Sequence, residues 1–259
     1  MSKKKYKSAT LWGKLRVCRY LSANRATRSM IPATVSFSKT NLQQMAAKHR
    51  SLYIKPDVGS LGIGIFKMSR QPSGYMLKMI SGKKQVQKTF KTLSAVHRHI
   101  HSKQKKKMII QKAIPLDKVD RRSYDIRGMI QRKPKGAWTC TGFIVRVGKP
   151  NKIVTNVYQG GKVYTLPKLH SKQGLTAESA AERTRQITSK GLTVAKMLSR
   201  KRSGMRELGI DFAYDKKGHL WILEVNSNHP QFYPIKNIDR AAYNRMLSFA
   251  KSYGRHSAR

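Results

Sequence analysis

Residues 53–68 read YIKPDVGSLGIGIFKM. A strand delivers Lys55, a loop carrying Gly59, Gly62 and Gly64 follows, and a second strand leaves it. Small residues let backbone N–H groups approach phosphate oxygens closely, and a lysine adds a point charge for them. No Gly-Lys-Ser/Thr triplet opens a helix here, so the segment is not a Walker A loop. It is not a dinucleotide fingerprint either, because a third glycine is missing and the exit is a strand. Taken alone, a glycine-rich hairpin is more often a plain turn, so the surrounding chain has to decide.

Downstream, GYMLKMI (74–80) and KQVQKTF (84–90) continue the strand pattern, TLSAVHRHIHS (92–102) has helical spacing, and KMIIQKAI (107–114) reads as a buried strand. Upstream, LWGKLRVCRYLSA (11–23) places Leu11, Leu15, Cys18 and Leu21 at helical intervals, and Ser38 is set to cap a second helix in SKTNLQQMAAKH. Two long strands, YDIRGMIQR and AWTCTGFIVRV, flank a turn at 133–136, and KIVTNVYQGGKVYTL (152–166) reads as a strand and a Gly-Gly loop. The longest helix is expected over 177–200, another near 237–253, and the tail SYGRHSAR is expected to fray.

A second chemical signal is ELGIDFAYDKKGHLWILEVNSNHP, 207–230. Glu224 and Asn226 are two apart on a strand and share a face. A turn centred on Lys216-Lys217 sets Asp211 opposite Ile222 and on that same face, with Ile210, Phe212, Leu223 and Val225 turned to a core. Two carboxylates and an amide oxygen suit Mg²⁺, which takes hard oxygen ligands and bridges nucleotide phosphates. A polar outer face of a surface hairpin is the plain alternative. A slip of one residue would turn Asp211 away. In the middle stretch 108–131, the irregular segment from Lys112 and Ala113 to Pro115 can offer backbone groups to an adenine edge. Arg127 and Arg146, on adjacent expected strands, can clamp a phosphate or a substrate carboxylate.

The composition bounds the partners. With 55 Lys and Arg against 11 Asp and Glu, the formal charge of +44 draws polyanions, from nucleic acid to acidic polymers. Apolar residues form 39 % of the chain, enough for a sizeable core, and recur along nearly its whole length. Cys18 and Cys140 lack metal-type spacing and are expected as reduced thiols in a cytosolic setting. The basic start has no apolar stretch of a leader, and no apolar run approaches the ~18 residues of a membrane span, so a soluble chain made without export is expected. The histidines at 97, 99 and 101 are two apart on a helix and point to different sides.

Taken in order, these pieces resemble the ATP-grasp superfamily: the Lys-Pro strand with its glycine-rich loop, a Gln-started hinge, Asp-Ile-Arg, Asn with Gly-Gly, then Asp and Glu-Val-Asn. GKLRVCRYL through MIPAT resembles the short leading segment of glutathione-synthetase-like members. More narrowly, YIKPDVGSLGIGI, YDIRGMIQR, WTCTGFIVRV and TNVYQGG resemble the YheC/YheD family, associated with spore coats of endospore-forming bacteria. The resemblance covers roughly residues 11–250.

It implies an α+β ATP-grasp fold with two lobes gripping the nucleotide: a helical segment over 1–50, a small lobe over 51–113 with the glycine-rich loop, and a large lobe over 114–259 with the metal-binding strands. It implies that Lys55 contacts ATP phosphates and that the loop of Gly59, Ser60, Gly62 and Gly64 folds over them. Lys112 and Ala113 become the adenine hinge and Asp125 a nucleotide contact. Asp211, Glu224 and Asn226 become the Mg²⁺ ligands, and Arg127, Arg146 and Asn156 lie near the transferred phosphate. Lys112 stands where related ligases commonly carry an acid, and Val154-Thr155 where a basic residue is usual.

The leading functional expectation is an ATP-dependent carboxylate–amine ligase working through an acyl phosphate, with ATP and Mg²⁺ as cofactors and an acidic peptide or polymer as substrate. It needs no enzyme nucleophile, and the chain offers no Ser/His or Cys/His constellation. The alternatives are a spore-coat assembly protein that binds ATP without turnover and a basic nucleic-acid-binding protein. A cytoplasmic location, with association to the spore coat, follows from the family.

Overall fold

The computed structural model describes residues 4–59, 62–81, 84–155, 157 and 160–258. Ser60 and Asn156 lie outside the described residues.

The first sheet grows from the Lys55 hairpin. Strand β2 (Ser51–Pro56) alternates half-buried and buried residues, so Leu52 and Ile54 go to the core while Tyr53 and Lys55 face the other way. Strands β1 (Thr34–Ser36), β3 (Phe66–Gln71), β4 (Gly74–Ser81), β5 (Lys84–Phe90) and β6 (Met108–Lys112) complete an antiparallel sheet in the order β1-β6-β2-β3-β4-β5. Strand β3 begins at Phe66 rather than in the Gly-Ile-Gly run. Gly62 and Gly64 sit at φ 72° and 71°, left-handed values that end a strand and that side chains resist. Helices α2 (Lys39–Lys48) and α3 (Leu93–Lys103), capped by the Ser38 and Thr92 side chains, cover the core face. Leu42, Met45 and Ala46 meet Val96 and Ile100 there over Leu52, Ile54, Met68 and Leu77.

The second sheet has the order β10-β9-β8-β11-β12, from β8 (Arg122–Gln131), β9 (Thr139–Val147), β10 (Lys162–Tyr164), β11 (Glu207–Tyr214) and β12 (Leu220–Asn226), with β7 (Lys118–Val119) paired to β8. Strand β11 is buried at all eight positions, as a central strand covered on both faces must be. Helices α1 (Lys14–Ser22) and α5 (Ala177–Lys201) cover one face; Val17, Leu21, Val194 and Leu198 join Ile130, Ile210 and Phe212. Gly191 lets α5 come close, because a Cβ there would sit 2.8 Å from Ile130 Cδ1. Helix α6 (Arg240–Lys251) covers the other face with Ala242, Met246 and Ala250 against Met129 and Ile144. A short helix, α4 (Leu166–Lys172), was not foreseen; Thr165 caps it and Pro167 opens it.

Three sequence expectations need correction. Lys152–Thr155 is not a strand, because side chains take its backbone groups: Gln85 Oε1 accepts the Ile153 N–H and the Tyr53 hydroxyl donates to the Ile153 C=O. The tail does not fray. Arg255 is 1 % exposed and Ala258 accepts backbone hydrogen bonds from Phe232 and Tyr233. The third correction concerns the β11–β12 register. Asp211 stands opposite Glu224, not Ile222, and Phe212 stands opposite Ile222, with an irregularity between Asp211 and Phe212. The connecting loop runs over Asp215–His219, which slips the pairing by one, and Leu223 bulges out of β12, which slips it by one more. Two slips restore parity: Asp211, Glu224 and Asn226 share a face, while Ile222 drops into the core and Leu223 leaves it.

Candidate functional site

Between the two sheets lies a cleft of about 1400 Å³. Lys55, Gly59, Gly62 and Lys112 line it from the first sheet, and Asp125, Arg127, Arg146, Asp211, Glu224 and Asn226 from the second. Gly64 and Ala113 do not line it. The N–H groups of Lys112 and Ala113 already donate to Ala33 and Ser51 carbonyls, and beyond the Lys112 side chain the cleft is lined by Ile114, Pro115 and Leu116. The Lys112 ammonium lies over the Trp221 ring, 5.5 Å from its centroid.

Lys55 is half-buried in the cleft wall and donates to Gln111 Oε1 at 2.9 Å. Burial pulls its pKa below the usual lysine value, against the opposing pull of Glu224. An ammonium whose hydrogen-bond partner among the described residues is a neutral amide is suited to an anion.

Two residues that sequence reasoning passed over complete this end. Lys14, the first residue of α1, donates to the Gly59 carbonyl at 3.0 Å and stands 3.4 Å from Glu224 Oε1. Asp57 accepts the Leu15 N–H at 2.8 Å and so caps α1 from the glycine-rich segment. The α1 start, the loop and the β12 carboxylate are thereby tied at one point. The signal available in the sequence was the Gly13-Lys14 pair at the helix start; only its apolar spacing was read.

Across the cleft, Asp211 receives Arg127 Nε at 2.8 Å and Nη2 at 3.0 Å, and Arg146 Nη2 at 2.8 Å. Arg146 also binds Asp125 Oδ1 through Nε at 2.6 Å, and Asp125 takes the Thr155 hydroxyl on its other oxygen. Burial would raise Asp211, but Arg127 and Arg146 overcome it and hold its pKa at about 2. Asp125 goes the other way: burial pushes it up more than Arg146 pulls it down. Turning the Asn226 amide so that its nitrogen meets Glu224 Oε1 (3.0 Å) and its oxygen meets Arg127 Nη2 (3.2 Å) satisfies both atoms.

The donor set suits a hard divalent cation: an ionised Asp211, Glu224 directly opposite, and the Asn226 amide on the same face. Among the described residues no three His, Cys, Asp or Glu side chains group as ligands, and the Asn226 amide is a further oxygen donor on the face of the two carboxylates. The guanidinium groups and Lys14 now supply the counter-charge such an ion would bring.

An acid-stability result follows from these ion pairs. A depressed carboxylate pKa stabilises the fold above its ordinary 3.8 and loses that contribution as pH falls towards about 2. The stability advantage of the parent over Asp211→Asn should shrink by on the order of 2 kcal/mol between about pH 5 and about pH 2, measured by urea titration. A constant difference across that window would mean the guanidinium pairing is not formed in solution.

Two antiparallel sheets gripping a cleft, one offering a lysine and a glycine-rich loop and the other paired carboxylates with an amide, make this an ATP-grasp protein. The chain belongs to the YheC/D-like ATP-grasp family, whose sequence model matches residues 3–253. It is 25 % identical over 252 residues to the endospore coat-associated protein YheD of Bacillus subtilis, covering 89 % of this chain and 52 % of that protein. With YheC of the same organism, also endospore coat-associated, the identity is 21 % over 198 residues, or 76 % of this chain and 54 % of that one. The chain thus spans about half the length of the curated relatives it matches.

Among solved structures it is similar to the C-terminal domain of Pby1 from K. lactis, an ATP-grasp enzyme interacting with the mRNA decapping enzyme Dcp2 (TM-score 0.50, 15 % identity, 90 % of this chain and 68 % of that one). It is also similar to the D-alanine-D-alanine ligase of Coxiella burnetii (TM-score 0.50, 11 % identity, 92 % of this chain and 56 % of that one). These likenesses establish the shared fold. No helix among the described residues is long and apolar enough to cross a membrane.

Proposed function

We propose that the chain is an ATP-dependent carboxylate–amine ligase with residues 51–113 and 114–259 as its small and large lobes and 1–50 as a leading segment. The observation that carries this reading is the meeting of Lys55, Lys14 and the Gly59 carbonyl with Glu224, Asp211 and Asn226 across one cleft. Lys55 and Lys14 bind phosphate oxygens under the glycine-rich loop, the Lys112 side chain with Ile114, Pro115 and Leu116 borders the base, and Asp125 contacts the nucleotide. Asp211, Glu224 and Asn226 hold Mg²⁺, which when bound supplies counter-charge to the phosphates.

Arg127 and Arg146, with Asn156, orient the substrate carboxylate and the transferred phosphoryl group. A carboxylate oxygen attacks the γ-phosphorus, the bond to the β-phosphate oxygen breaks, and ADP leaves. The acyl phosphate then accepts an amine, expelling inorganic phosphate and a proton and leaving an amide.

A second reading is an ATP-binding protein of the spore coat that does not turn over. It is favoured by the engagement of Asp211 with two arginines and of Glu224 with Lys14, and by the coat association of two relatives. The two are separated by ADP release from Mg-ATP across a panel of carboxylates and amines. Stimulated release with phosphate formation is expected; saturable binding without release under any pair would leave the coat reading.

A further inference from the structure

A pocket shaped for one small ligand measures roughly 300–1000 Å³, and this cleft is about 1400 Å³. The proposed nucleotide and metal residues account for one part of its wall. Another part is built on a single row across the first sheet, where Tyr53 is in register with Lys67, and Lys67 with Lys78. Lys118 of β7 lines the same cleft from the second sheet. At this end the lobes are tied together: Tyr53 donates its hydroxyl to the Ile153 carbonyl at 2.7 Å, and Gln85 bonds Asn151 and Ile153 at 2.8 and 2.9 Å.

None of the three lysines pairs with a carboxylate among the described residues. The two acids that flank Lys118 in sequence are engaged elsewhere. Asp117 accepts the Lys118 N–H, the Tyr124 hydroxyl and the Gln173 amide, and Asp120 pairs with Arg122 and Lys172. Lys67 is pulled below its ordinary pKa by burial first, then by the charges of Lys78 and Lys118. Like charges gathered in a half-enclosed space without a counter-ion cost stability, which an anionic ligand would restore.

We propose that Lys67, Lys78 and Lys118 form an acidic-substrate subsite that holds the side-chain carboxylates of an oligopeptide rich in glutamate or aspartate. This rests on the ligase reading, since it describes the substrate whose reacting carboxylate is phosphorylated farther along the cleft. Lysines on neighbouring strands stand about 4.8 Å apart, a spacing for successive single carboxylates rather than for one phosphate, which favours converging forks of arginine. Single-stranded nucleic acid binds through open aromatic faces. On this wall the Tyr53 ring is covered by the Lys67 ammonium, 5.5 Å from its centroid.

The test is binding of a labelled tetraglutamate, with tetraglutamine and a uridine oligonucleotide of similar charge as comparisons, to the full chain with Mg²⁺ and a non-hydrolysable ATP analogue. The triple variant Lys67→Gln, Lys78→Gln, Lys118→Gln should bind tetraglutamate at least about ten-fold more weakly. Its affinity for the ATP analogue should change less than about two-fold, and its unfolding midpoint should not fall. Tetraglutamate bound equally by parent and variant would overturn the subsite and leave the general surface charge as the cause. An oligonucleotide that binds more tightly than tetraglutamate, and is weakened by the same substitutions, would overturn it in favour of nucleic acid. Loss of tetraglutamate binding in the variant, with no nucleotide binding in the parent, would sustain the subsite and sink the ligase.

Discussion

Replacing Glu207 with alanine is expected to cost about 3–5 kcal/mol, a large share of the roughly 5–15 kcal/mol that holds a domain folded. Glu207 is fully buried at the start of β11. Its carboxylate receives Arg255 Nη1 at 2.6 Å, the Tyr253 hydroxyl at 3.1 Å, the Tyr6 hydroxyl and, at 3.4 Å, the Lys4 ammonium. Arg255 and Lys4 also donate to the Pro230 and Ser227 carbonyls, in the segment that follows Asn226. One carboxylate therefore joins both ends of the chain behind the candidate metal strand. Alanine leaves the buried Arg255 and the half-buried Lys4 without the carboxylate that opposes their charges. Glu207→Gln keeps the shape and some hydrogen bonds and should fall between the two. Truncation after residue 251 should resemble alanine, because it removes Tyr253 and Arg255. Chemical denaturation measures all three, and a loss below about 1 kcal/mol for alanine would mean the ends are held by apolar packing instead.

The second large effect is catalytic and should come with no loss of stability. Lys55→Met removes a half-buried, partly desolvated charge that no carboxylate among the described residues pairs directly, so the unliganded fold should be unchanged or slightly firmer. Turnover should fall about a hundred- to a thousand-fold, the range seen when one preorganised donor to a developing charge is removed. The rise in melting temperature on adding Mg-ATP should vanish with it. Glu224→Gln should behave alike in turnover, with only a small change in the unliganded melt, because Glu224 is 27 % exposed at the cleft and Lys14 keeps its bond to the Gly59 carbonyl. An Mg-ATP shift retained by Lys55→Met would move the phosphate site away from the glycine-rich loop. A large loss of unliganded stability for Glu224→Gln would make that residue structural and withdraw the metal assignment.

Much of the fold was legible because its signals are local. The alternation in 51–56, the Ser38 and Thr92 caps and the long apolar stripe of 177–201 each depend on neighbours a few residues away. Lys14 and Glu207 were illegible for the opposite reason. Their partners lie 210 and 48 positions away, as the pairs Lys14–Glu224 and Arg255–Glu207 show, and no spacing rule reaches so far. The basic tail looked like a fraying end, since a lone arginine among many carries no mark of the one carboxylate that will bury it.

The sequence by itself determined most of the elements, their order and the identity of the polar residues on 207–226, though not helix α4 or the irregular course of 152–155. Whether Asp211 and Glu224 would face each other was decided only in the folded chain. Strand pairing has a period of two, so a five-residue connection at Asp215–His219 would have turned the two carboxylates to opposite faces. The Leu223 bulge reverses that, sending Ile222 into the core and Leu223 to the cleft. Neither slip is written in the local alternation of residues. Both follow from what the second sheet must bury, with Ile210, Phe212 and Ile222 packed beneath α1 and α5 and the charged face left to the cleft.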